Sequence, residues 1–306
     1  MPRLALILLL LGLVAPARRL SADSVILAAV ADTFIAESFP DRNYGAAAFL
    51  NGGTTQSFTT NRGLLRFDPA AVIPAGSKIL SATLVLEVTK HPSDPDAPWN
   101  SAFFGLHRLL RDWGEGDNFA TKPNSGTPAG TNEANWTHRF ALTGATWGVP
   151  GGQAGVDYVS SPSATKWVYE SGVPASFNST PALAGDVQAW LDDSGTNFGW
   201  MLIVQNETTD LTARRFGSRE SGFDAPFLEV TFQPPPPIEF VALVNGLLNL
   251  AFTPLTNYVH QVQSRTNLQT GAWQPLANIG PFATSTRVVI VDTVGAAQKY
   301  YRLVLP

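Results

Sequence analysis

An all-β fold is predicted by three observations. Short segments alternate between apolar and polar residues, turn formers recur between them, and only 14% of the 306 residues are charged. The clearest alternation is Ser81 to Thr89, where Ala82, Leu84, Leu86 and Val88 fall on one face and Ser81, Thr83, Glu87 and Thr89 mostly on the other. A period of two marks a strand buried on one side, the unit of an antiparallel sheet. The 26 glycines and 23 prolines supply the turns that such a chain needs.

At the start, Met1 to Ala17 combines Arg3, the apolar run Leu4 to Val14 and the small-residue site Ala15-Pro16-Ala17. This is the pattern of a signal peptide, assigned to residues 1–22. Its roughly 11 apolar residues fall short of the ~20 that a spanning helix needs. No later run is long and apolar enough to anchor the mature chain, so the expected location is secreted or at the cell surface. From Ala31 the chain reads as a strand, a turn on Asp41-Arg42-Asn43-Tyr44-Gly45, a second strand, an Asp68-Pro69 turn and the alternating strand. Within the second of these, alternation turns Leu65 and Phe67 to the core and leaves Leu64 and Arg66 on the other side.

Ala102 to Leu110 reads as a buried strand running into a turn at Asp112 to Gly116. The region 117–178 is rich in Gly, Ser, Thr, Pro and Asn, and a loop of that size implies short strands and ordered turns inside it. One helix follows. Thr180 caps it, Pro181 suits its first position, and Leu183, Val187, Trp190 and Leu191 recur at helical spacing before Gly195 ends it. Trp190 is read as the anchor of this helix on the sandwich. Trp200 to Val204 is apolar on both faces, as in a strand covered twice, and Phe227 to Phe232 closes the domain. Pro234 to Pro237 has no amide donors and favours a stiff extended spacer, so the domain is bounded at 23–233 and a second one at 238–306. The second offers strands at Leu247 to Phe252, Tyr258 to Ser264, Trp273 to Ile279, Arg287 to Asp292 and Lys299 to Leu305.

Several segments carry a resemblance in the same order: the Ala31 to Val88 block, DWGEG at Asp112 to Gly116, NWT at Asn135 to Thr137, DVQAWL at Asp186 to Leu191, NFGW at Asn197 to Trp200, and RFGSRE at Arg215 to Glu220 followed by PFLEV. Together they resemble the secreted DNRLRE domains, also called carbohydrate-binding module family 96, over roughly two thirds of the chain. Thr266 to Leu276 and the terminal Tyr300 to Pro306 resemble, more weakly, small fibronectin-like modules. The fold class is therefore a jelly-roll-like antiparallel β-sandwich with one packed helix, plus a small C-terminal β-sandwich. The resemblance implies non-catalytic binding of an extracellular polysaccharide, including acidic ones such as alginate.

Composition narrows the chemistry. The net charge is −4, or about −5 to −7 after leader removal, with no basic stripe for phosphates, so a nucleic-acid partner is not expected. With no cysteine, thiol nucleophiles, thiolate metal sites and disulfide staples are excluded, and a large core must supply stability. His91, His107, His138 and His260 share no metal-ligand spacing, and neither H-E-x-x-H nor G-x-S-x-G occurs. No catalytic residue is assigned. Asp112 and Glu115 are read as turn-capping carboxylates over a buried Trp113. No cofactor is expected beyond a structural calcium ion, for which Asp32, Asp41, Asn43 and Asp224 are oxygen donors without a calcium-loop signature.

The ligand-binding candidates are arginines and aromatics. Arg62, Arg66, Arg215 and Arg219 lie in two motif segments, and guanidinium forks suit carboxylates. The competing reading is an internal ion pair of Arg66 or Arg219 with Asp32, Asp186 or Glu220. Tyr44, Trp147, Tyr158 and Trp167 lie in loop-rich parts, where flat rings can take the C–H faces of sugars. Two other functions stay open at this point: a surface or matrix module acting as a spacer or adhesin, and a polysaccharide lyase or glycosidase with an unfamiliar site.

Overall fold

The computed structural model describes residues 7–8, 21–93, 102–118, 125–238, 240–293 and 298–306. The signal peptide assigned to 1–22 lies outside these apart from residues 7–8 and 21–22. The described chain is an all-β protein with one α-helix, and it divides into two compact units. Of the described residues, one unit comprises those in 24–72 and 81–230; the other comprises those in 73–80 and 231–306, together with 7–8 and 21–23.

The larger unit is built on β1 (Asp23–Ala36), β2 (Phe49–Thr54), β3 (Thr60–Phe67), β4 (Lys78–Leu86), β5 (Val88–Lys90) and β6 (Phe103–Arg108). It continues with β7 (Ala164–Trp167), β8 (Ala175–Phe177), α1 (Pro181–Asp192), β9 (Trp200–Val204), β10 (Arg214–Gly217) and β11 (Phe227–Gln233). The strand order is β7-β6-β9-β3-β1-β11-β4-β8, and a branch adds β10, which pairs with β2 and β5. Both faces of β9 are buried, as its unbroken apolar run requires. Among its described residues, the region 117–178 contains three short strand segments before β7, at Thr127–Pro128, His138–Phe140 and Ala145–Thr146.

Alternation in β3 assigns the faces correctly, with Leu64 opposite Leu65 and Phe67, but the second face is covered as well. Leu64 is as buried as Leu65 and Phe67, because the loops after β6 close over the second face of the sheet. There Leu64, Ile35 and Met201 pack with Trp113, Trp136, Trp147 and Tyr158 in a core of their own. Period two reports one covered face, and it is silent where a long insertion covers the other.

The helix begins as its sequence predicts, with the Thr180 hydroxyl accepting the Leu183 N–H at 3.0 Å and Pro181 in the first turn. It ends at Asp192, before Gly195. The Asp193 N–H bonds Ala189 O at 2.9 Å and its carboxylate accepts the Gly195 N–H, turning the chain into a short 3₁₀ segment. Trp190 anchors the helix, its ring centre 4.4 Å from that of Trp200. Asp186 adds a buried polar link, accepting from Ser163 Oγ and Trp200 Nε1.

The turn at Asn43 and Gly45 docks onto the DWGEG turn. Asn43 Nδ2 donates to Glu115 O at 2.7 Å and to Ala134 O at 2.9 Å, while its Oδ1 accepts the Gly45 N–H. A Cβ on Gly45 would stand 2.1 Å from Glu115 O. Gly45→Ala is therefore expected to destabilise the protein by about 1–3 kcal/mol, read as a lower denaturant midpoint; an unchanged midpoint would mean that the two turns part easily.

The smaller unit pairs β12 (Phe240–Val244), β13 (Leu247–Phe252) and β16 (Val288–Thr293) in one sheet, with residues 7–8 beside β16. β14 (His260–Arg265) lies between β15 (Gln274–Ile279) and β17 (Tyr300–Val304) in the other. Leu250, Phe252, Val288 and Ile290 of the first sheet share one core with Val262, Ile279 and Leu303 of the second, a small β-sandwich.

Candidate functional site

Most of the sequence-predicted ligand residues are held by the protein itself. Tyr44 is buried and stacks on Phe34 with ring centres 4.0 Å apart. Trp147 and Tyr158 lie in the core over β3, so neither ring offers a free face to a sugar. Arg62 joins that core from β3. Its guanidinium forks onto Glu207, Nε to Oε1 at 2.8 Å and Nη2 to Oε2 at 2.7 Å.

Arg66 bonds Asp112 Oδ1 at 2.6 Å and lies over Trp113; the competing reading named the right kind of contact, with another acid for Arg66 but with Glu220 correct for Arg219. Asp112 also accepts the Trp113 N–H, as a turn-capping carboxylate. Arg219 forks onto Glu115 at 2.6 and 2.9 Å and reaches Glu220 at 3.0 Å. Its backbone N–H, not its guanidinium, donates to Asp32 Oδ2. Trp167 is 44% exposed at the edge strand β7, tilted against Phe103.

Among the described residues no group of His, Asp and Glu is arranged to hold a metal ion. Of the calcium candidates, Asp32 and Asn43 are engaged by protein donors and carbonyls. His107 is buried in β6. Val159 O lies 2.9 Å from its Nδ1 and Gln205 Nε2 lies 3.1 Å from its Nε2. A carbonyl needs a donor and an amide N–H needs an acceptor, so the ring is neutral with its proton on Nδ1. Burial lowers its pKa further.

Arg215 alone among the four predicted arginines has no carboxylate partner among the described residues. It lies on β10 between two strands, opposite Asn51 of β2 and Lys90 of β5. The ladder slips by one residue between Arg215 and Phe216 against β5, and this bulge sets two cations face to face. Like charges directly opposite on neighbouring strands destabilise a sheet. The guanidinium carbon lies over the Phe49 ring, 3.8 Å from its centre, and Nε donates to Asn51 Oδ1 at 3.5 Å, which leaves the Nη atoms for a planar anion.

These residues line a cleft of about 610 Å³, within the range of small-ligand sites. Arg214 forms part of its wall. Its side chain is buried, donating Nε to Tyr169 O at 2.7 Å and Nη1 to carbonyls of the preceding turn. Burial pushes its pKa down to about 10, which still leaves it charged at neutral pH. His91 Nδ1 accepts the Ser171 N–H at 2.9 Å, which places its proton on Nε2. Asn51, Asn61, Thr55 and Gln56 add amides and a hydroxyl, and no Asp or Glu is among the lining residues described. Lys90, His91 and Asn51 carried no signal in the sequence, because register brings Lys90 to Arg215 across a long separation. The adjacent Arg214 and Arg215 were the only local hint.

No family model matches the chain, and no curated protein matches it. Among solved structures, a β-1,2-glucanase from Parabacteroides distasonis aligns with 83% of this chain at 11% identity and a TM-score of 0.18. The alignment spans 29% of that glucanase. Geometry that dissimilar supports no inference about fold or chemistry. Among the described residues no helix is long and apolar enough to cross a membrane.

Proposed function

We propose that this is an exported, non-catalytic binding protein for an acidic polysaccharide, of the DNRLRE type, with uronic-acid chains such as alginate as the ligand class. The observation that carries the reading is Arg215 set against Lys90 beside the buried Arg214, in a cleft where no Asp or Glu is among the described lining residues. Carboxylates of the polymer relieve the repulsion between the cations and accept from the guanidinium edge held by Phe49. Hydroxyls pair with Asn51, Asn61 and Gln56. No covalent step is assigned to any residue.

The test is affinity electrophoresis and calorimetry against uronic-acid and neutral polysaccharides. Retardation is expected on the uronic-acid gels alone, weakening with added salt because exposed charges are screened. Arg215→Ala should weaken binding about 10- to 100-fold, the range of one charge-assisted hydrogen bond, with little change in stability. Retention of full affinity by Arg215→Ala, or equal retardation on neutral gels, overturns the proposal. A spacer role is the second reading, favoured by the burial of Tyr44, Trp147 and Tyr158; it predicts no retardation on any gel.

A further inference from the structure

The smaller unit presents a second surface built for the same chemistry. Along β14, His260, Val262 and Ser264 point inward, and Gln261, Gln263 and Arg265 alternate outward. Asn278 of β15 and Arg302 of β17 lie across from Gln261 and Gln263. Their side chains are joined in one row. Arg302 Nε donates to Gln263 Oε1 at 2.8 Å, Gln263 Nε2 donates to Gln261 Oε1, and Gln261 Nε2 donates to Asn278 Oδ1 at 3.0 Å. The row is polarised from its cationic end, each bond strengthening the next. Every amide in it keeps at least one further N–H for a ligand.

At the cationic end stands Trp273, with Arg265 and Arg302 at 4.4 and 4.6 Å from its ring centre. Stacking on the indole fixes the guanidinium planes. Arg265 forms no ion pair with any described carboxylate, and its Nε is buried without a hydrogen-bond partner. Nε itself is shielded, but the side chain as a whole is half-buried, and with no internal counter-charge among the described residues a ligand carboxylate is the group that fits the outer guanidinium N–H groups.

We infer that the outer face of β14, β15 and β17 is a second binding site for a carboxylated glycan, with Arg265 taking the carboxylate, Trp273 supporting it and the Gln261–Gln263 row reading hydroxyls. The ligand class rests on the function proposed above; the site does not share a residue with the cleft. Two sites on one chain make binding to a long polymer bivalent, so avidity exceeds either affinity.

The experiment is calorimetry of the full chain with a short uronic-acid oligosaccharide, beside electrophoresis on the long polymer. About two oligosaccharides per chain are expected, falling to about one in Arg265→Ala/Trp273→Ala and, separately, to about one in Lys90→Ala/Arg215→Ala. Either double variant should retain the polymer at least about tenfold more weakly. Thermal melts establish that the variants fold, and Arg265→Gln, which keeps a polar side chain against Trp273, is the milder substitution. An Arg265→Ala/Trp273→Ala protein with unchanged stoichiometry and polymer affinity overturns this inference and leaves the cleft standing. Loss of all binding in that variant, with none lost in Lys90→Ala/Arg215→Ala, instead upholds the second site and overturns the cleft. Equal binding of a neutral oligosaccharide at the second site overturns the assignment of Arg265 to a carboxylate.

Discussion

Replacing Arg62 by alanine is expected to cost about 3–5 kcal/mol of folding stability, the range for removing one partner of a buried ion pair. The Arg62 side chain is 12% exposed and that of Glu207 28%, so solvent screens the pair little. Beyond the fork onto Glu207, Nη1 donates to Gly151 O at 2.9 Å and Gly152 O at 3.0 Å. The guanidinium carbon also lies 5.8 Å from the ring centres of both Trp136 and Tyr158. One side chain thus ties β3 to the loop core and to the segment after β9. Truncation strands the Glu207 carboxylate and two carbonyls together. Urea unfolding of Arg62→Ala and Arg62→Lys measures this, with lysine keeping the charge but losing the fork and falling between alanine and wild type. If Arg62→Ala were fully stable yet lost polysaccharide binding, Arg62 would be a ligand contact and not a staple.

Stability should also fall as pH rises from about 4 to about 8, through one buried group. Asp32 is 1% exposed, its Oδ1 has no hydrogen-bond partner, and burial, ahead of the charges of Glu220 and Glu115, pushes its pKa up to about 8. The Arg219 N–H, which acts the other way, is too little to offset this. The folded chain therefore holds a proton that the unfolded chain releases near the ordinary aspartate value. Asp32 contributes its full stability below that value, loses it progressively as pH climbs, and has lost it above about 8. At about 1.4 kcal/mol per pH unit, the loss is on the order of a few kcal/mol. Asp32→Asn mimics the neutral acid, so its unfolding free energy should change less between pH 5 and pH 9 than that of wild type. Parallel curves for the two proteins would show that Asp32 ionises freely in the folded state.

The folded molecule separates what is written locally from what is not. The cap at Thr180, Pro181 at the helix start, the anchor Trp190 and the strands β4 and β9 were all legible, because each depends on residues a few positions apart. Trp113 was legible as well, since a tryptophan within a tight turn has few places to go but inward. The same local reading offered Tyr44, Trp147 and Tyr158 as surface rings. Their burial depends on how the long insertion folds back over β3, and nothing in their neighbours reports that.

For the candidate site the division is sharper. Sequence patterns established the all-β class, the capped helix and a set of arginines suited to carboxylates, because side-chain direction along a strand or helix follows from backbone geometry alone. Which of those arginines is spent on an internal acid was decided only by tertiary packing. Glu207, Asp112 and Glu115 reach Arg62, Arg66 and Arg219 from segments far away in sequence. Arg215 is left to face Lys90 because a one-residue bulge sets the register between β10 and β5. Charge pairing depends on distance in space, and register and burial, which set that distance, are properties of the whole fold.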